Sequence, residues 1–92
     1  MTEQRALLVL VSGACRACCV AREVACAFAQ ERPDVHVAVQ DVDVPGWRAP
    51  EHFVGTPMYY RDDRVLSFGN PTREQLHAAF PLKGGPAREW SA

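Results

Sequence analysis

Residues 6–31 read ALLVLVSGACRACCVAREVACAFAQE, and this stretch decides the fold class. Residues 6–11 are apolar without alternation, which is typical of a central strand covered on both faces. Residues 17–31 repeat apolar side chains at intervals of three and four positions, which predicts an amphipathic helix. The turn between the two elements carries Cys15 and Cys18, so a pair of thiols is expected at a strand-to-helix junction.

The middle of the chain predicts a second strand and a β-hairpin. Residues 35–40 alternate valine with other side chains, as in a half-buried strand. A strand, a helix and a strand in this order form a βαβ unit, so the first two strands should be parallel. Residues 56–61 and 64–68 then flank a pair of aspartates and predict the hairpin. One short helix is expected before it, over residues 48–53.

The last part of the chain predicts a helix and a tail. Thr72 is the expected N-cap, and Gln75 three positions later completes a capping box. Residues 81–92 are rich in proline, glycine and basic side chains, so we expect a flexible C-terminal tail after one domain over residues 1–80. The expected order is β-α-β-(short α)-β-β-α, an α/β fold with a four-stranded mixed sheet.

The composition indicates a small soluble protein. The chain has 92 residues, 48% hydrophobic and 23% charged, with a formal net charge of −1. That charge gives no reason to expect a nucleic acid or an anionic membrane as partner. No apolar run is long enough to span a membrane, and the N-terminus does not read as a signal peptide. We therefore expect a cytoplasmic monomer, in a compartment where thiols are kept reduced.

The four cysteines favour chemistry over a structural role. Cys15, Cys18, Cys19 and Cys26 all lie in one short segment, so any disulfide among them would close only a local loop. At a strand-to-helix turn the first sulfur faces the free N–H groups and the positive end of the helix dipole. Both stabilise a thiolate, which is the reactive form of a cysteine.

The chain resembles the thioredoxin/glutaredoxin superfamily over residues 6–80. Three features carry the resemblance: the C-x-x-C at the turn, the strand end VQDVD at residues 39–43, and Gly55-Thr56-Pro57 opening the hairpin. Thioredoxins place an extra strand and helix before the active-site strand, and we expect no room for them here, so the chain is more similar to the minimal glutaredoxin-like small redoxins. It departs from thioredoxins in having no tryptophan before Cys15 and no proline between the cysteines.

The resemblance implies a thioredoxin-like fold and a thiol-disulfide oxidoreductase. In that family the residue matching Cys15 is the nucleophile and the one matching Cys18 resolves the mixed disulfide. Arg16 would add positive charge, and a cis Thr56–Pro57 bond would place the Thr56 backbone beside an extended substrate. The substrate would be a protein disulfide or a low-molecular-weight thiol, the electron donor is not identified by the sequence, and no cofactor is required.

Several alternatives remain open at the level of the sequence. One is a thioredoxin-like binding module without activity, and another is a metal or iron–sulfur carrier. A metal site is not expected, because the clustered cysteines supply at most three ligands. Cys19 is expected to be a half-buried helix residue, or else a second resolving thiol or an oxidation site. Cys26 is expected in the core, and Trp47 either beside the thiols or over the core.

Overall fold

The computed structural model describes residues 5–81 and has an α/β architecture with a four-stranded mixed sheet, as predicted. The sheet order is β2-β1-β3-β4, with β1 parallel to β2 and the other two pairings antiparallel. Of the tail expected over residues 81–92, all but Pro81 lies outside the described residues, as do residues 1–4. The elements are β1 Arg5–Val11, α1 Arg16–Glu31, β2 Val35–Asp41, β3 Met58–Arg61, β4 Arg64–Phe68 and α2 Arg73–Ala79.

The predicted βαβ unit is confirmed, and it sets the orientation of the cysteine turn. β1 pairs with β2 from Arg5 opposite Val35 to Val11 opposite Asp41. β1 is the central apolar strand because both of its faces are covered: alternate side chains enter two separate core clusters. The larger cluster contains Leu7, Val9 and Val11 of β1 together with buried side chains of both helices. Those helix residues are Cys18, Ala21, Ala25, Phe28 and Leu76.

The second face of the sheet is covered by the loop between β2 and β3. Trp47 and Phe53 pack there against the smaller cluster, with ring centroids 5.1 Å apart. The expected short helix over residues 48–53 is wrong, since no helix lies between β2 and β3. Pro50 removes a backbone donor and His52 adopts a positive φ of 68°, so a helical hydrogen-bond ladder does not form. Of the two interpretations of Trp47, the structure supports the one over the core.

The hairpin and the last helix follow the sequence prediction closely. Asp62 turns the hairpin with a φ of 56°, and strand β3 begins at Met58, after the proline. Thr72 caps α2, and both hydrogen bonds of the capping box with Gln75 are present. Within residues 5–81, no helix has the length and apolar character needed to cross a membrane.

Candidate active site

The cysteine turn lies at the C-terminal end of β1, where α1 begins. A disulfide joins Cys15 to Cys18, with Cα atoms 5.1 Å apart. Cys15 is the N-cap of α1, and its Sγ accepts a hydrogen bond of 3.1 Å from the Cys18 N–H. The same N–H also donates to the Cys15 carbonyl oxygen at 3.2 Å, so this first-turn donor is shared between the sulfur and the backbone. The first turn of α1 has no acidic residue that would oppose a thiolate there.

The two sulfur-bearing residues differ in exposure. Cys18 is 1% exposed and belongs to the main core cluster, whereas Cys15 is half-buried at the edge of that cluster. The Cys18 Sγ accepts a hydrogen bond of 3.3 Å from the Ser12 N–H. An external disulfide can therefore reach Cys15, while Cys18 is held behind it by the residue that follows β1.

The Thr56–Pro57 element lies against the cysteine pair. Its peptide bond is cis, as predicted, and the Thr56 carbonyl oxygen is 3.9 Å from Cys15 Sγ. The Thr56 hydroxyl is 3.1 Å from the Ser12 hydroxyl, which ties the loop before β3 to the cysteine turn. Four of the predicted site residues, Cys15, Cys18, Thr56 and Pro57, are thus brought together. Arg16 begins α1 next to Cys15, and its side chain is exposed.

Sequence reasoning did not predict the contacts that hold the turn in place. The Asp43 carboxylate accepts a hydrogen bond of 3.1 Å from the Gly13 N–H. The Asn70 side-chain amide donates a hydrogen bond of 3.1 Å to the Ala17 carbonyl oxygen. With Ser12, these residues come from three different loops, and the sequence signal that they share is a short polar side chain just after a strand.

The remaining two cysteines do not lie where they were expected. Cys19 was predicted to be half-buried and Cys26 to be in the core, but both are exposed free thiols. The buried stripe of α1 runs through residues 18, 21, 25 and 28, and residues 19 and 26 fall beside this stripe. A helix that packs on one sheet face buries only one such stripe, so apolar character alone does not bury a cysteine outside it.

A tyrosine hydroxyl of the core is linked to the residues that hold the turn. Tyr59 lies in the main core cluster, where burial raises the pKa of its hydroxyl to about 12. That hydroxyl is therefore neutral at physiological pH and donates a hydrogen bond of 2.8 Å to Asn70 Oδ1. Within residues 5–81, no group of three or more His, Cys, Asp or Glu side chains is arranged to hold a metal ion.

Comparison with known proteins does not identify the chain. No protein-family model matches it, and no curated protein sequence matches it either.

Proposed function

We propose that this protein is a small thiol-disulfide oxidoreductase with a thioredoxin-like fold, of the thioredoxin/glutaredoxin superfamily. The observation that carries the proposal is the hydrogen bond from the Cys18 N–H to Cys15 Sγ at the N-cap of α1. When Cys15 is reduced, the same N–H and the helix dipole favour its thiolate over its thiol. Cys15 is also the more exposed sulfur of the pair, so it is the one that meets a substrate.

The reaction consists of two exchange steps. The Cys15 thiolate attacks one sulfur of a substrate disulfide, forms a mixed disulfide and releases the other substrate sulfur as a thiolate. Cys18, as thiolate, then attacks Cys15 Sγ and releases the second substrate thiolate. The substrate disulfide gains two electrons and the cysteine pair loses two, ending in the Cys15–Cys18 disulfide found in the structure. A separate dithiol returns the pair to the reduced state by the reverse steps.

The surroundings of Cys15 favour a protein disulfide as substrate. The Thr56 carbonyl beside Cys15 Sγ provides a backbone acceptor for an extended peptide held in the mixed disulfide. Val54 lies two residues before Thr56, and Phe68 pairs with Met58, the residue after Pro57; the two side chains are 71% and 63% exposed. Exposed apolar side chains close to the Thr56–Pro57 element suit a polypeptide better than a small charged thiol.

The test is turnover of a protein disulfide with excess dithiol as electron donor. Cys15→Ser should abolish turnover, because no other sulfur occupies the N-cap. Cys18→Ser should leave Cys15 able to attack but unable to release its substrate, so that a mixed disulfide accumulates and is detected by mass. Cys26→Ser is the matched control, since Cys26 is an exposed cysteine on the same helix, and its activity should be unchanged. Turnover by Cys15→Ser at the wild-type rate would refute the proposal.

A further inference from the structure

One peptide group of the cysteine turn is held at both of its polar ends. It is the unit between Ala17 and Cys18, whose carbonyl oxygen accepts the Asn70 amide at 3.1 Å. Its N–H donates to Cys15 Sγ, also at 3.1 Å, and shares this hydrogen with the Cys15 carbonyl oxygen at 3.2 Å. A trans peptide is a rigid plane in which the carbonyl and the N–H point in opposite directions. Fixing the oxygen on one side therefore fixes the direction of the N–H on the other.

Asn70 is itself anchored to the sheet. Its Oδ1 accepts a hydrogen bond of 2.8 Å from the hydroxyl of Tyr59, a residue of β3 that is 0% exposed. The orientation of the Asn70 amide follows from chemistry, because the Ala17 carbonyl can only accept and must face the NH₂ group. The backbone around Asn70 is also fixed, since the Gly69 N–H donates to the Pro57 carbonyl and Pro71 is buried. The result is a continuous chain of hydrogen bonds from Tyr59 through Asn70 to Ala17, which we call the strut, and it joins β3 to the first turn of α1.

We propose that Asn70 is a positioning residue that directs the Cys18 N–H at Cys15 and so stabilises the Cys15 thiolate. The inference rests on the proposed function and assigns to it a residue more than fifty positions away in the sequence. Two effects act in the same direction. The strut fixes the plane of the peptide group, and a hydrogen bond donated to its carbonyl polarises the group and strengthens its N–H as a donor. Asn70 does not touch the sulfurs and acts only through this peptide.

The experiment measures how fast each thiol of the reduced protein is alkylated. Trypsin cuts after Arg16, so Cys15 and Cys26 end in separate peptides and are read independently by mass spectrometry. Exposed Cys26 thus serves as an internal standard for an ordinary thiol. In Asn70→Ala, alkylation of Cys15 at neutral pH should fall about threefold relative to Cys26, and its pH profile should move to higher pH.

Two further variants separate positioning from general destabilisation. Tyr59→Phe keeps Asn70 but removes its anchor, so Cys15 alkylation should fall by less than in Asn70→Ala. Tyr60→Phe removes a similar hydroxyl, bound to the Glu51 carbonyl on the other face of the sheet, and should leave the alkylation rate of Cys15 unchanged.

The outcomes distinguish this inference from the proposed function. If wild-type Cys15 is alkylated no faster than Cys26, the Cys15 thiolate is not stabilised, and both proposals fall. If wild-type Cys15 is fast and Asn70→Ala leaves it equally fast, the role of Asn70 is refuted while the oxidoreductase stands. An equal loss in Tyr60→Phe would also refute the role of Asn70, because the effect would then come from lowered stability.

Discussion

Replacing Arg32 by alanine should be among the most destabilising substitutions outside the cysteine turn. Arg32 is 5% exposed and lies where α1 ends. Its guanidinium donates to the Phe80 carbonyl at 2.6 Å and to both carboxylate oxygens of Asp34 at 2.9 and 2.7 Å. It therefore joins the ends of both helices to the start of β2, at the end of the sheet opposite the cysteines.

The magnitude follows from the surroundings of each bond. The bond to Phe80 is buried and charge-assisted, and losing it also leaves a carbonyl unpaired, which costs about 1.5–3 kcal/mol. The Asp34 side chain is 43% exposed, so solvent screening limits the contribution of the Arg32–Asp34 ion pair to about 0.5–1 kcal/mol of stability. We expect Arg32→Ala to lower the free energy of unfolding by about 3 kcal/mol. That is a large share of the roughly 5–14 kcal/mol expected for a chain of this size.

Urea unfolding followed by circular dichroism gives this free energy, and thermal unfolding should show a Tm lower by about 12 °C or more. Arg22→Ala is the matched control, because the Arg22 side chain is 50% exposed and lies 3.9 Å from its carboxylate partner. It should change stability by less than about 0.5 kcal/mol. Equal losses for the two variants would refute the reasoning, because burial of the guanidinium would then have no effect.

Two other predictions concern single hydrogen bonds and pH. Ser12→Ala removes the hydroxyl bound to Thr56 and should lower the free energy of urea unfolding by about 1 kcal/mol. Ser67→Ala, whose hydroxyl binds only local carbonyls, should lower it by less, and the reverse order would contradict the assignment. Hydrogen bonding to Arg32 holds the pKa of Asp34 below its ordinary value. The stabilisation of the folded state by ionised Asp34 is complete above about pH 4, and it is lost as the pH falls towards the pKa of Asp34 in the folded state. Wild type should therefore lose more stability in acid than Asp34→Asn, and equal losses would contradict this.

The sequence was sufficient to predict those helices and strands whose signals lie in neighbouring residues and agree with one another. The apolar run of β1, the capping box at Thr72 and the alternation of β2 each depend on near neighbours, and all three elements form where expected. The prediction of a short helix over residues 48–53 was wrong, because apolar side chains of this loop pack individually on the sheet. Trp47 and Phe53 cover its second face from an irregular loop that contains Pro50.

Part of the candidate site was also predictable, because Cys15, Cys18 and the Thr56–Pro57 element belong to recognisable short motifs. The exposure of Cys19 could not be predicted, because helical spacing gives the direction of a side chain only relative to its neighbours. Which stripe of α1 is buried depends on how the helix lies on the sheet, and that is a property of the tertiary structure. The contact between Asn70 and Ala17 could not be predicted either, because the two residues are 53 positions apart in the sequence.

These long-range contacts determine what the cysteine motif can do. The turn from Ser12 to Cys18 forms hydrogen bonds with Asp43, Thr56 and Asn70, which follow or precede three different strands. Strand ends that meet at one edge of a sheet bring such loops together, so the fold supplies the contacts that four motif residues cannot make. If Asn70 acts as proposed, the reactivity of Cys15 depends on this edge as well as on the C-x-x-C. Transferring the motif alone to another strand-to-helix turn should then reproduce the disulfide with a less strongly stabilised thiolate.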